Sequence, residues 1–304
     1  MAATSDYLTQ LQADKQVLVD NLVAKGVEAT SDETFTTLAP KVADISSGGG
    51  LEITNARYLF YYGARLDAVE ELCNAISSDC TNFNYMFGYC SSLTTVPQLD
   101  TSNGTDFSYM FTNCQALTTI PQLDTSNGTN LDSMFSNCGG LKEVPNINTS
   151  KCTNFKRMFT FCHTLTTVPQ LDTSKGTNIE EMFYYSNKII EIPELDASSA
   201  NKIGGIFGGC TALTTLGGLK NLGLSYNQKM ANYSGHKLDL SSCTALTHDS
   251  LMNVINNLYD LNLTYNVANG GTLYTQQLVL GTTNLAKLTE AEIAIATNKG
   301  WTVS

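Results

Sequence analysis

Nine cysteines and three histidines are the side chains of this 304-residue chain with the widest chemistry. Gathered together they could hold zinc, and paired thiols could form disulfides. Their spacing argues otherwise. Cys90, Cys114, Cys138 and Cys162 follow one another at intervals of 24 residues, Ser186 takes the next place, and Cys210 resumes the register. One thiol per unit at one fixed place is a ladder of equivalent sites, whereas metal and disulfide chemistry needs clusters or pairs. The ladder reads as small, reduced, apolar side chains in a core. Cys73, Cys80 and Cys152 stand outside that register. His163, His236 and His248 form no H-E-x-x-H and no zinc spacing with cysteine, and neither a G-x-S-x-G elbow nor a phosphate-binding glycine loop occurs. No enzymatic activity, no cofactor and no metal site is therefore expected. Asp100, Asp124, Asp172 and Asp196, with Asn148 in the third place, form an interrupted ladder of oxygens. Stacked carboxylates could attract calcium. Turn capping by the Asp-Thr-Ser side chains is the simpler reading.

Composition narrows the partners. Charged residues are 15% of the chain, against roughly 25% in an average soluble domain. Lys and Arg number 17 against 28 Asp and Glu, a net charge of -11. That balance argues against nucleic acid and against an anionic lipid surface, both of which need cationic contacts. No run of about 18 apolar residues occurs, so no membrane insertion is expected. Met1 to Asp6 offer no basic region followed by an apolar stretch, so no secretory signal is expected.

The elements that position these residues are set by a repeat. The cysteine period aligns Met86-Phe87, Met110-Phe111, Met134-Phe135, Met158-Phe159, Met182-Phe183 and Ile206-Phe207. It aligns Leu93, Leu117, Leu141, Leu165, Ile189 and Leu213, then Pro97, Pro121, Pro145, Pro169 and Pro193, with Gly217 in the sixth place. Six units cover residues 81–220. A unit this short cannot bury its own apolar face, so units must stack and share one core. The segment from Leu93 to Asp100 and its equivalents is the candidate strand, with Val96 and Leu99 inward. A proline in every copy keeps it short or bent. Phe83, Met86, Phe87 and Cys90, at i, i+3, i+4, i+7, suggest a short helical turn on the return arc.

The pattern M-F-x-x-C-x-x-L followed by L-D-T-S resembles the BspA-type leucine-rich repeats of bacterial and gut-phage proteins. The resemblance covers about half the chain in five or six consecutive copies. It implies an α/β leucine-rich-repeat solenoid of 24-residue coils and a binding or scaffolding role, without identifying a ligand. Family members commonly carry Val where Gly104, Gly128 and Gly176 stand. Glycine should loosen that corner, and Asn103-Gly104 and Asn127-Gly128 are plausible turns.

Residues 1–45 differ in character. Leu8, Leu11, Lys15, Leu18 and Leu22 make a heptad-like seam, and a second short helix is expected from Asp32 to Ile45, capped by Thr30 and Glu33. Residues 46–50 read as a Gly/Ser linker. Two such helices have little apolar surface of their own. They should pack on other copies or on another protein, or fold back as a cap. The strings from Leu11 to Val27 and from Asp32 to Val42 resemble N-terminal segments of tail-fibre and related virion proteins, in which this end attaches to the particle. Residues 51–80 should cap the first coil, with Leu66, Val69, Leu72 and Ile76 on one helical face. Residues 221–304 read as irregular repeats and a C-terminal cap. Helices are expected at His248–Tyr259 and Thr289–Lys299, and strands at Leu273–Leu280 and Trp301–Val303.

One surface signal remains. The position before each Met varies: Tyr85, Tyr109, Ser133, Arg157, Glu181, Gly205. So does the pair after each Phe: Gly88-Tyr89, Thr112-Asn113, Ser136-Asn137, Thr160-Phe161, Tyr184-Tyr185, Gly208-Gly209. Positions that vary within a strict repeat need not serve the core. Tyr85, Tyr89, Tyr109, Phe161, Tyr184 and Tyr185 form the candidate recognition surface, suited to a host protein or glycan. Together with the resemblances, this points to a bacteriophage fibre. Residues 1–45 would assemble it, as a trimer through Leu8, Leu11, Lys15, Leu18 and Leu22, and attach it to another virion protein. Such a protein would be made in the host cytoplasm and released by lysis. The alternative is a bacterial cell-surface adhesin with the same repeats.

Overall fold

The side chains of Phe87, Phe111, Phe135, Phe159, Phe183 and Phe207 lie one above another, fully buried. Adjacent ring centroids are 5.6–5.9 Å apart, with planes within 6–10° of parallel. Such a ladder requires each 24-residue unit to sit directly on the last, as shared burial demands. The computed structural model describes residues 12, 15, 16, 19, 20, 23, 28–32, 53–57, 59–63, 69–223, 237–261 and 276–304. Beside the rings, the Phe87, Phe111, Phe135 and Phe159 amides each donate to the carbonyl of the Met one coil further on, at 2.8–3.0 Å. A second column of parallel bridges joins Asn82, Asp106, Asn130, Asn154, Asn178 and Lys202. The leucines of the repeat, from Leu93 to Leu213, close the other side of the core.

The return arc is not helical. From Phe83 to Cys90 it is a run of turns: Met86, Gly88 and Cys90 amides donate to the carbonyls three residues before, and Phe83, Tyr85, Phe87 and Tyr89 amides donate to the next coil. The i, i+3, i+4, i+7 spacing fits this run as well as a helix, because both bring those side chains to one face.

The strand expected at Leu93–Asp100 also takes a different form. In the early units this segment has no assigned strand. Short parallel pairs appear only late: β1 (Glu191–Ile192) with β3 (Thr215–Leu216), and β2 (Leu195–Asp196) with β4 (Leu219–Lys220). Pro193 and Glu194 interrupt the first coil of these, as a residue without an amide proton must. In the earlier coils side-chain amides supply the missing links. Gln98 Nε2 donates to Gln122 O, Gln122 Nε2 to Asn146 O and Gln170 Nε2 to Glu194 O, at 2.6–2.9 Å.

The stack extends beyond the six units. Phe60 lies on Phe87 at 5.0 Å, and the Phe60 amide donates to Met86 O. Between these coils runs α1 (Val69–Asn74), which buries Val69 and Leu72. Ile76 follows the helix and bridges to Ile53. Leu66 lies outside the described residues. At the N-terminus Gln12, Lys15, Gln16, Val19, Asp20 and Val23 are helical. Val19 is 5% exposed and belongs to the same apolar cluster as Ile53 and Phe60. One side of this helix therefore covers the core. Asp32, where a second helix is expected to begin, lies in a turn; the rest of that helix, 33–45, and the 46–50 linker lie outside the described residues.

At the other end, β5 (Lys237–Asp239), β6 (Gln276–Val279) and β7 (Trp301–Val303) form a parallel sheet in that order. Helix α2 (His248–Asn257) starts at the Thr247 cap and buries Leu251, Val254 and Ile255. Helix α3 (Gly281–Leu285) precedes α4 (Glu290–Asn298), whose Thr289 and Glu292 close a capping box. Lys299 Nζ donates to the Ile255, Asn256 and Leu258 carbonyls at the end of α2. Trp301, 2% exposed, seals the last apolar layer.

The glycine corner is tight rather than loose. Gly104, Gly128 and Gly176 do not adopt positive φ. A Cβ on Gly104 would lie 2.3 Å from Phe107 Cζ, and one on Gly176 3.1 Å from Phe155. The ring occupies the volume where related repeats place valine. Cys80 and Cys152 stand at this corner, not outside the repeat: their amides close the turn to Ser77 O and Thr149 O just as Gly104 and Gly128 do to Thr101 O and Thr125 O. We predict that Gly104→Val lowers stability by about 1–3 kcal/mol through overpacking. Adding Phe107→Leu, the residue at position 131, should restore part of that loss in denaturant unfolding. A double variant no more stable than Gly104→Val alone would contradict the packing.

Candidate functional site

The run of turns between Phe83 and Cys90 obliges two residues per coil to adopt positive φ. One precedes the Met: Tyr85, Tyr109, Ser133, Arg157, Glu181 and Gly205, at φ 53–67°. The other is the second after the Phe: Tyr62, Tyr89, Asn113, Asn137, Phe161, Tyr185 and Gly209, at φ 54–78°. These are the positions that vary along the repeat. In this region an L-residue with a Cβ is strained by about 1–2 kcal/mol, and glycine and asparagine are the natural occupants. The last coil uses glycine in both columns. Six of the other positions hold tyrosine or phenylalanine. Residues held in sparsely populated backbone regions cluster at functional sites.

Five of the six expected surface aromatics thus stand on left-handed backbone. Tyr184 does not; its ring lies over Gly208, where a Cβ would come within 2.8 Å of it. The rings form two groups. In one, Tyr85 stacks on Tyr109 at 4.4 Å and Tyr62 on Tyr89 at 4.9 Å, while Tyr61 meets Tyr62, Tyr85 and Tyr89 edge-on. In the other, Phe161 stacks on Tyr185 at 5.6 Å, and Tyr184 and His163 meet Phe161 edge-on. Tyr62, Phe161 and Tyr185 are 59%, 37% and 47% exposed. Burial raises the Tyr109 phenol above its ordinary range, and the Asp132 carboxylate adds to it. Arg157 and Glu181 make the one ion pair within these columns among the described residues.

Tyr61 and Tyr62 escaped the sequence reading. Tyr58-Leu59-Phe60-Tyr61-Tyr62-Gly63 matches Tyr85-Met86-Phe87-Gly88-Tyr89-Cys90 place for place, but 27 residues earlier rather than 24. Of the expected seam, Leu8, Leu11, Leu18 and Leu22 lie outside the described residues, and Lys15 is half-buried on the helix.

The cysteine ladder has a definite chemical task. Each Sγ donates to the carbonyl of the Phe one coil before: Cys90 to Phe60 O, Cys114 to Phe87 O, Cys138 to Phe111 O, Cys162 to Phe135 O and Cys210 to Phe183 O, at 2.9–3.2 Å. Ser186 Oγ makes the same bond to Phe159 O. A thiol is a small, nearly apolar donor suited to a dry site. All nine cysteines are free and buried. Burial pushes the Cys90 and Cys162 thiols up to about 12 and also raises those of Cys114 and Cys138.

The aspartate ladder caps turns. Asp100 Oδ1 accepts from the Ser102 amide and hydroxyl, Asp172 Oδ1 from those of Ser174, and Asp124 Oδ1 from the Ser126 amide. These serine hydrogen bonds hold all three carboxyls below their ordinary value. Among the described residues no group of three or more His, Cys, Asp or Glu side chains could hold a metal ion. Among them too, no helix is long and apolar enough to cross a membrane.

A protein family described as "Mycoplasma protein of unknown function, DUF285" matches residues 33–143 and 118–219, more than half of the chain. Among solved structures, the chain is similar to a leucine-rich-repeat protein of T. pallidum, TpLRR. The two are 16% identical over 69% of this chain and 84% of that one, with a TM-score of 0.42. No curated protein matches the chain.

Thiol reagents at pH 8 should modify Cys90, Cys114, Cys138 and Cys162 only after denaturation, read by mass spectrometry. The folded thiols titrate higher than the unfolded ones, so their contribution to stability is complete below the ordinary value of 9.0 and fades as pH rises towards 12. The melting temperature should fall across that window. Rapid native labelling would contradict the buried ladder.

Proposed function

We propose that this chain, which belongs to the DUF285 family, is a non-enzymatic recognition protein of the leucine-rich-repeat type. It would display the left-handed aromatic columns to a host surface, as a fibre component of a bacteriophage virion. The observation that carries the recognition role is the aromatic side chains at backbone positions that favour glycine. Neither the core nor the inter-coil ladder needs a ring at Tyr89, Phe161 or Tyr185, since Gly209 completes the same turn without one. Tyrosine contributes large, rigid contact area at low entropic cost, and the ladder beneath fixes it in advance of binding. The likeness of the N-terminal strings to tail-fibre segments supports the virion setting. In this reading the N-terminal helices also join copies into a trimer. Val19 belongs to the core cluster while Val23 is 52% exposed, which leaves apolar surface for assembly.

A bacterial cell-surface adhesin is the second reading. The family description, which names Mycoplasma, favours it. Antibody against the chain separates the two settings: labelling of purified phage particles supports the first, and labelling of uninfected cells the second.

Changing Tyr109, Phe161, Tyr184 and Tyr185 together to Ser should reduce binding to host cells at least tenfold, about 1.4 kcal/mol or more, with circular dichroism unchanged. Undiminished binding would contradict the recognition role. Light scattering of the full-length chain should give a trimer at micromolar concentration. A monomer would exclude self-assembly through residues 1–45.

A further inference from the structure

The second left-handed column has an order that the recognition role alone does not require. From the N-terminal side it runs Tyr62, Tyr89, Asn113, Asn137, Phe161, Tyr185, Gly209. Tyr62 and Tyr89 stack with planes 28° apart, and Phe161 and Tyr185 do the same. Each pair is held together on its inner faces. In the order of the column Asn113 follows Tyr89, and Asn137 precedes Phe161. Between them the two asparagines, shorter by a ring, lie half-buried and joined by a hydrogen bond from Asn137 Nδ2 to Asn113 Oδ1. From Tyr89 to Phe161 is three coil steps, each 5.6–5.7 Å in the phenylalanine ladder beneath, and the two coils between carry an amide where a ring would stand, so the column order implies a recess there. Its walls are aromatic faces and its floor is amide.

The chemistry of that recess selects its occupant. A flat aromatic face attracts the C–H bonds of a ring laid on it, and amides donate to and accept from hydroxyls. Asn113, Asn137 and Phe161 carry no ionisable group. The nearest charges in the adjoining column, Arg157 and Glu181, neutralise each other in an ion pair. An anionic ligand would lose hydration there, and the one cation of the two columns, Arg157, is already paired. A helical or extended peptide would need backbone partners, and the inter-coil ladder already engages the amides of Tyr89, Asn113, Asn137 and Phe161. A sugar needs none. Its faces are C–H and its rim is hydroxyl, matching wall and floor. We propose that this recess is a subsite for neutral sugar rings of a surface glycan. The proposal rests on the recognition role given above and names the ligand class of that surface.

Asparagine is the column's own residue in the intervening coils, so Tyr89→Asn and Phe161→Asn preserve the left-handed backbone and the fold. The test is isothermal titration of the full chain with three neutral hexasaccharides, of β-1,4-linked glucose, α-1,4-linked glucose and β-1,4-linked N-acetylglucosamine, and with hexagalacturonate as the charged control. At least one neutral hexasaccharide should bind and hexagalacturonate should not. Tyr89→Asn and Phe161→Asn should each weaken binding roughly tenfold, as expected for the loss of one ring face, while Ile190→Thr, at an exposed position outside both left-handed columns, should leave it unchanged. Absence of binding by all three neutral sugars, or binding indifferent to Tyr89→Asn and Phe161→Asn, would overturn the proposal. Binding of the variants to host cells separates the two levels. If cell binding falls in these variants and is abolished by protease but not by periodate treatment of the cells, the ligand is a protein: the sugar subsite is overturned and the recognition role stands. If cell binding is unchanged in these variants and in the fourfold serine variant, both fall.

Discussion

The structure depends on one constraint: every coil must place its Phe on the Phe of the coil before and pass its backbone hydrogen bonds to the coil after. Apolar burial fixes the ring column, and parallel N–H···O bonds fix the spacing. Each coil can then vary only where its side chains point away from the column. The thiol ladder follows from the same constraint. The Phe87, Phe111, Phe135 and Phe183 carbonyls each already accept an amide from their own coil and have a second lone pair facing a dry interior, while beside Phe159 the Cys162 amide goes to Ser186 Oγ instead. A cysteine one coil later supplies a donor small enough to fit, and Ser186 shows that the hydrogen bond, not the sulfur, is what the position uses.

The same geometry shapes the outer face. Alternate amides on the arc must leave the coil while those between must return to it, and only a left-handed residue at two places per coil allows both. A chain selected for stability alone would fill those places with glycine or asparagine, as the last coil and the coils of Asn113 and Asn137 do in part. Tyrosine and phenylalanine there add strain of about 1–2 kcal/mol per residue in exchange for a rigid, partly exposed ring. Ring-on-ring contact along the column offsets some of it. Stability and display therefore compete at the same residues, and the compromise differs from coil to coil.

Much of this was legible in the sequence because equivalent residues recur at one interval. The period alone identified the Phe, Met, Cys and Leu columns, and variation against that background marked Tyr85, Tyr89, Tyr109, Phe161, Tyr184 and Tyr185. Four features were not legible. The helix-like spacing of Phe83, Met86, Phe87 and Cys90 is met equally by consecutive turns, so the left-handed backbone could not be read from apolar positions. The coil of Phe60 was hidden by its longer spacing, and with it Tyr61 and Tyr62. The corner glycines looked permissive, because the ring of Phe107 that fills the space beside Gly104 becomes visible only once coils are stacked. The sheet expected at Leu93–Asp100 was reduced for a related reason: proline removes one amide per coil, and Gln98, Gln122 and Gln170 replace it with side-chain donors that no strand pattern encodes.

Residue-resolved hydrogen exchange tests the coupling of ring column and amide ladder most directly, by comparing the native chain with Phe135→Ala. Loss of a buried Phe typically costs about 3–5 kcal/mol, and nearest-neighbour coupling should carry that loss outward. The amides of Phe87, Phe111, Phe135, Phe159 and Phe183 should be strongly protected in the native chain. In the variant, protection should fall most at Phe135 and next at Phe111 and Phe159. Protection that falls at Phe135 alone, or equally at all five, would contradict a stack held together coil by coil.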